Sequence, residues 1–366
     1  MSRVRVQLID PAGDVAPYDH ALAAALAELG AEVELVTSRF VHGPAAEPRG
    51  YSVSEDFYRL ATRLPAHAAR RRRALRLAGH VPGMIRHRRR ARAADMRHYQ
   101  WLPLRGLDSW LISPARPRVL TLHNVLRAER IDRGLVSRMD AVVVHTRRGA
   151  EDLAARGGLP AERIHVIPHG AFEHLTTQPA EEPLPPDLAT VEGPVVLCFG
   201  VVRPYKGVDV LLEAFRDVAA ELWVVGRPLG ESMERLRRLA PSGRVRFVPR
   251  YVSDRELPAF FRRADLLVLP HRKVDVSGVL FAGLAFGKPM VLSDVGGFHE
   301  VVADHGAGRL VPPGDPEALG GAIRELLDDP AEREGLGERA RVAAAGPYSW
   351  RRIAGLTLAL YEELVR

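Results

Sequence analysis

The loop GVVRPYKG, Gly200 to Gly207, places Arg203 and Lys206 between an uncharged apolar run and a helix. An arginine presents a planar fork of donors and a lysine a compact point charge, so the pair suits a diphosphate. Basic loops are often merely solvated, and a second feature adds weight here. In the stretch PHRKVDVSGVLFAGLAFGKPMVLSDVGGFHE, Pro270 to Glu300, Ser277-Gly278 opens an apolar helix, Val279 to Phe286, that Gly287-Lys288-Pro289 stops. The first N–H groups of a helix have no partner within it and attract anions. Cations and amides around one phosphate stabilise charge as it develops on a leaving group.

Histidines form a second set. Val119 to Leu122, Ala141 to Val144 and Ile164 to Ile167 each read as a strand, and His123, His145 and His169 stand at or just beyond their carboxyl ends. That edge of a parallel sheet is where ligands bind. His145 is read as a strand-edge cap, whereas His169, beside Gly170, and the pair Gly13 and Asp14 in the first loop line a substrate cleft. Glu300 starts a helix, and Trp101 and Trp110 pack in a core or hinge.

The elements that must carry these residues alternate between strand and helix. Strand Val4 to Ile9, helix Tyr18 to Leu29 and strand Glu32 to Thr37 make a β-α-β opening, without the GxGxxG spacing of a dinucleotide site. Residues 40 to 100 resist parsing, although His98 to Leu102 reads as a strand. Thr176 to Pro194 holds five prolines and reads as a linker. A second alternation follows, with strands at Val195 to Phe199, Leu222 to Val225, Val245 to Val248, Leu266 to Leu269, Met290 to Leu292 and Arg309 to Val311. The chain closes in an amphipathic helix, Tyr348 to Leu364. The expected division is therefore 1–178 as an acceptor-side domain, 179–194 as linker, 195–347 as a donor domain, and 348–366 as a helix crossing back to the first domain.

A chain of 366 residues that is 46% hydrophobic supports two cores. The single cysteine, Cys198, lies in an apolar strand and reads as a core thiol. No apolar run reaches the ~20 residues needed to span a bilayer, so a cytoplasmic location is expected. The net charge of +7 is concentrated: thirteen arginines fall between Arg63 and Arg105 against one acid, Asp95. The clusters Arg70 to Arg73 and Arg88 to Arg90, interleaved with Leu75, Leu77, Val81, Met84 and Ile85, fit either a solvated helical face or an anionic membrane surface on its inner side. Nucleic acid is disfavoured, because the cluster has no aromatic residues for bases to stack on.

With GVVRPYKGVDVLLEAF, ADLLVLPHR, SGVLFAGLAFGKPMVLSDVGGFHEVV, VIPHG and LTLHNV in place, the chain resembles the retaining GT-B glycosyltransferases of family 4 over residues 118 to 345. The resemblance implies an α/β fold of two Rossmann-like doubly wound domains facing a central cleft. It also implies a nucleotide-diphosphate sugar of UDP or GDP type as substrate, an acceptor hydroxyl, and no metal or other cofactor. By the same token, Arg203 and Lys206 would hold the donor diphosphate. The amides of Ser277, Gly278 and Val279 would assist, with Leu280 in the same substrate-binding turn, and His123 would lie near the transferred sugar.

One departure stands out. The family commonly carries two glutamates eight residues apart, the second contacting the ribose, and the matching positions here are Val274 and Ala282. Asp275 is placed to substitute for the first. The alternatives are a nucleotide-sugar epimerase of the same fold and a catalytically inactive GT-B scaffold.

Overall fold

A computed structural model describes residues 3–13, 15–40, 47–64, 68–104, 106–125, 131–177, 180–241 and 243–366. The chain forms two compact units, one of Met1–Gly170 with Trp350–Arg366 and the other of Ala171–Ser349. Each is built on a wholly parallel sheet.

In the first unit the strands are β1 (Arg5–Asp10), β2 (Glu32–Ser38), β3 (Ser52–Phe57), β4 (Met96–Tyr99), β5 (Arg118–Thr121), β6 (Ala141–Val144) and β7 (Ile164–Val166), in the order β3-β2-β1-β4-β5-β6-β7. The second unit has β8 (Val195–Phe199), β9 (Glu221–Val225), β10 (Val245–Val248), β11 (Leu266–Leu269), β12 (Met290–Ser293) and β13 (Arg309–Val311), in the order β10-β9-β8-β11-β12-β13. In both, the chain starts centrally, winds outward, returns and winds the other way. The reversals fall between β1 and β4 and between β8 and β11, where loops diverge and leave room for a ligand.

The central strands are covered on both faces, which is why they read as continuous apolar runs. In the second unit Val196, Cys198, Leu222, Val224, Leu266, Val268 and Val291 pack with the helices Val208–Ala214 and Pro316–Asp328. Each such side chain contributes about 1.5–3 kcal/mol by leaving water. In the first unit Ile9, Val36, Tyr99, Leu120, Val142 and Val144 belong to one core cluster.

Between residues 40 and 100, where sequence pattern is weak, the structure has β3 and the helix Ala69–Arg90. That helix buries His80, Met84 and His87 and half-buries Leu75 and Val81. Only Leu77 and Ile85 of the interleaved apolar residues are exposed, at 51% and 43%. Trp110 is 69% exposed, with the Arg138 guanidinium 4.6 Å from its ring centroid, so it is not a core residue.

The proline-rich stretch expected as a linker is packed into the second unit. Leu188 in its short helix Pro186–Ala189 is fully buried, Glu181 pairs with Arg262, and Glu182 N donates to Arg255 O at 2.9 Å. A helix absent from the sequence reading, Pro330–Ala345, buries Leu336, Gly337, Ala340, Ala343 and Ala344. A face of small residues gives a weak hydrophobic period, so it passes unnoticed in sequence. The final helix, Trp350–Val365, lies in the first unit, packing on helix Ala16–Glu28 and placing Tyr361 Oη 2.5 Å from His98 Nδ1.

Candidate active site

In the second unit, β8 delivers the loop Gly200 to Gly207 at the reversal of the sheet. Gly200 N donates to Val225 O and Lys206 N to Arg203 O, both at 2.9 Å, folding Pro204–Lys206 into a 3-10 turn. Gly207 closes the turn at φ +67°, and a Cβ there would stand 2.0 Å from Pro270 O, so only glycine lets this loop approach the next one.

The two loops are bolted together by residues that sequence reasoning passed over. Arg272 N donates to Tyr205 O at 2.8 Å, while its guanidinium reaches Pro204 O and grips the Asp209 carboxylate with both terminal nitrogens, at 2.8 and 3.0 Å. Burial pushes Asp209 upward, but the hydrogen bonds from Arg272 and Arg235 outweigh it and hold the carboxyl below its ordinary value.

Lys206 turns inward. Its Nζ and Val279 Cγ2 both lie 3.0 Å from the point where a Gly200 Cβ would stand, so the ammonium sits beside the first turn of helix Gly278–Ala285. Burial raises the Cys198 thiol to about 11, against a smaller downward pull from Lys206. Arg203 is half-buried on the same loop.

Ser277 is the extended residue before the helix, buried, and its hydroxyl makes no capping bond. The Leu280 N–H is committed to Ser277 O at 2.9 Å, within the turn that opens the helix, so Leu280 has no free amide to offer there. Gly278 and Val279, which precede it, have amides without intrahelical partners by position. Val274 and Ala282 are buried, at 4% and 3%, and neither side chain can bind a ribose. Asp275 is buried, and its carbonyl accepts from Gly297 N at 2.8 Å, tying this loop to the next.

In the first unit, β5, β6 and β7 bring His123, His145 and His169 into one cluster, with ring centroids 4.9 Å apart for His123 and His145 and 5.6 Å for His145 and His169. Tyr18 sits among them, its centroid 4.9, 5.4 and 5.0 Å from the three, and 5.1 Å from that of Trp350. His145 Nε2 lies 2.9 Å from His123 Nδ1, and His145 Nδ1 lies 3.0 Å from Ile167 O. His145 is thus joined to His123 rather than only finishing a strand. Tyr18 and Trp350 gave no sequence signal, since each lies in an ordinary helical pattern.

Burial keeps these rings neutral. It lowers His145 to about 4 and His169 to about 3, and it holds His123 well below its ordinary value, with the neighbouring histidines acting the same way on His123 and His169.

Gly13, at φ +66°, shapes the loop after β1, where Asp10 accepts from Ala12 N at 3.0 Å and Val15 N at 3.3 Å. Gly13 backs onto Ser38 rather than onto the histidines. Asp14 lies outside the described residues.

Two doubly wound parallel sheets, with a basic loop and helix start on one and a histidine cluster on the other, define a GT-B architecture. Residues 16–171 match the profile of "Glycosyltransferase Family 4" and residues 193–329 that of "Glycosyl transferases group 1". The chain belongs to the GT-B glycosyltransferases of family 4 type and is a glycosyltransferase.

It is 28% identical to a D-inositol 3-phosphate glycosyltransferase of Xylanimonas cellulosilytica, across 97% of this chain and 93% of that protein. It is 27% identical to the alpha-D-kanosaminyltransferase of Streptomyces kanamyceticus, across 68% of each. Among solved structures, Anabaena HepE in complex with UDP and glucose has the same fold, with a TM-score of 0.74 at 18% identity, over 99% of this chain and 100% of that one.

Proposed function

We propose that the protein moves a glycosyl group from a nucleotide-diphosphate sugar to an acceptor hydroxyl, with retention of configuration and without a divalent metal. The observation that carries this reading is the meeting of Lys206 with the first turn of helix Gly278–Ala285, on the loop that also bears Arg203. A metal in such reactions neutralises the departing diphosphate; two cations and the Gly278 and Val279 amides supply that charge here. The departing phosphate takes the acceptor proton on the face it leaves, so a pair of carboxylates is not required. By the family resemblance, His123 is the histidine expected near the transferred sugar. UDP is the favoured nucleotide, on the strength of the UDP held by the HepE fold relative, and a polyol phosphate is the first acceptor to try, given the inositol-phosphate relative.

The test is a panel of UDP-glucose, UDP-N-acetylglucosamine and GDP-mannose, with and without D-inositol 3-phosphate, scored by release of nucleotide diphosphate and repeated in EDTA. Release that depends on acceptor and persists in EDTA supports the reading. Folded protein that releases nothing from any donor and binds neither UDP nor GDP by calorimetry overturns it.

The exposed side of helix Ala69–Arg90 favours an anionic membrane surface as a further partner. Arg70, Arg71, Arg73 and Arg89 flank Leu77 and Ile85 on that side, matching an interfacial helix in charge and in apolar content. Arg90 pairs with Asp56 and Glu34, and Arg88 donates to Trp110 O, so these two serve the fold first. Among the described residues no helix is long and apolar enough to cross a membrane, so the contact proposed is a surface one.

A further inference from the structure

The histidine chain has a direction. A carbonyl oxygen can only accept, so His145 Nδ1, 3.0 Å from Ile167 O, carries a proton. Burial keeps the ring neutral near pH 7, which leaves His145 Nε2 bare. His123 Nδ1, 2.9 Å away, must then donate to it. His123 is also neutral, so its own Nε2 carries a lone pair and no proton. That atom is buried and has no hydrogen-bond partner among the described residues.

Tyr18 packs edge-on to His123 and Trp101 lies 6.4 Å from it between centroids, so the surrounding rings fix its plane. Of the two nitrogens of a neutral histidine, the one that bears the proton is set by the bond the other makes. Here that bond leads through His145 to the Ile167 carbonyl, where β7 ends.

We propose that His145 is a positioning residue that fixes His123 as the Nδ1–H tautomer and thereby presents His123 Nε2 as an acceptor for a hydroxyl of the bound sugar. The tautomer follows from this unit alone, while the hydroxyl rests on the glycosyl-transfer reading above. An acceptor at this point selects a sugar bearing a free hydroxyl there. An N–H in its place would donate to any sugar oxygen, ether or hydroxyl, and lose that selectivity.

Two substitutions separate tautomer control from packing. His145→Leu keeps the bulk and removes both nitrogens. His145→Gln puts an amide oxygen where the ring Nε2 stands, restoring the acceptor for His123. The full-length protein, labelled with 15N at histidine and assigned with His123→Asn, is read by long-range proton–nitrogen correlation.

The expected result is a protonated Nδ1 and bare Nε2 on His123 in the parent and in His145→Gln, and a proton shifted to Nε2 in His145→Leu. Turnover of the nucleotide sugar falls about tenfold in His145→Leu, the worth of one hydrogen bond, and stays near the parent rate in His145→Gln. A parent His123 protonated at Nε2 overturns the proposal, and so does a His145→Leu variant that keeps the parent tautomer. If the parent turns over no nucleotide sugar, the reading of the preceding subsection fails, and the tautomer measurements decide this one alone.

Discussion

Replacing Lys206 by methionine isolates the charge on which the diphosphate assignment depends. Methionine keeps an unbranched stem, so the packing beside Gly200 and Val279 is largely retained while the ammonium is lost. At about 4 Å from a phosphate oxygen, in the effective dielectric of about 20 suited to a half-buried site, one charge pair contributes about 4 kcal/mol. At about 1.4 kcal/mol per decade, that corresponds to a loss of about a thousandfold in kcat/KM.

The loss divides in an informative way. Part of the interaction exists with the bound donor and raises its KM. The remainder strengthens only as the sugar departs and charge accumulates on the diphosphate, so kcat falls as well. Continuous detection of nucleotide diphosphate over a donor titration separates the two, and a thermal melt confirms the fold. A kcat/KM within tenfold of the parent, with the fold intact, would refute the assignment of Lys206 to the diphosphate.

Two further outcomes follow from the charges and burial described above. The protein should sediment with vesicles rich in anionic lipid at low salt and be released as salt shortens the Debye length below about 10 Å; Leu77→Asp with Ile85→Asp should cut binding several-fold, whereas equal binding to neutral vesicles would count against a charged docking face. Burial lowers His98, His145 and His169 to about 3, 4 and 3 from an ordinary 6.5, so the unfolded chain takes up protons first as pH falls. Their contribution to stability is therefore complete above pH 6.5 and is lost toward pH 4, at about 1.4 kcal/mol per pH unit for each histidine; denaturant titrations giving the same stability at pH 7.5 and 5.5 would contradict their burial as neutral rings.

Strands were the most legible elements, because those buried on both faces lose their charges along their whole length. Val195–Phe199, Val245–Val248 and Leu266–Leu269 have the bounds the sequence reading gives them. Residues 40 to 100 were opaque for the opposite reason. The helix Ala69–Arg90 buries mainly His80, Met84 and His87, and two of these three are polar, so its buried face carries little hydrophobic signal. At the candidate site, Arg203 and Lys206 were visible as two cations on a loop next to a strand end. Arg272 and Asp209, which hold that loop, were not, since an arginine facing an aspartate 63 residues away leaves no local pattern.

By itself the sequence determined two α/β alternations, the edges at which their loops emerge, and the cations and histidines those loops carry. All of these follow from short-range rules of burial and capping. Only the tertiary structure decided that His145 bonds to His123, that the supposed linker packs into the second unit, and that Tyr361 of the returning final helix pairs with His98. Each of these is a pairing between distant residues, and hydrogen-bond direction and packing fix it only once the chain has brought them together.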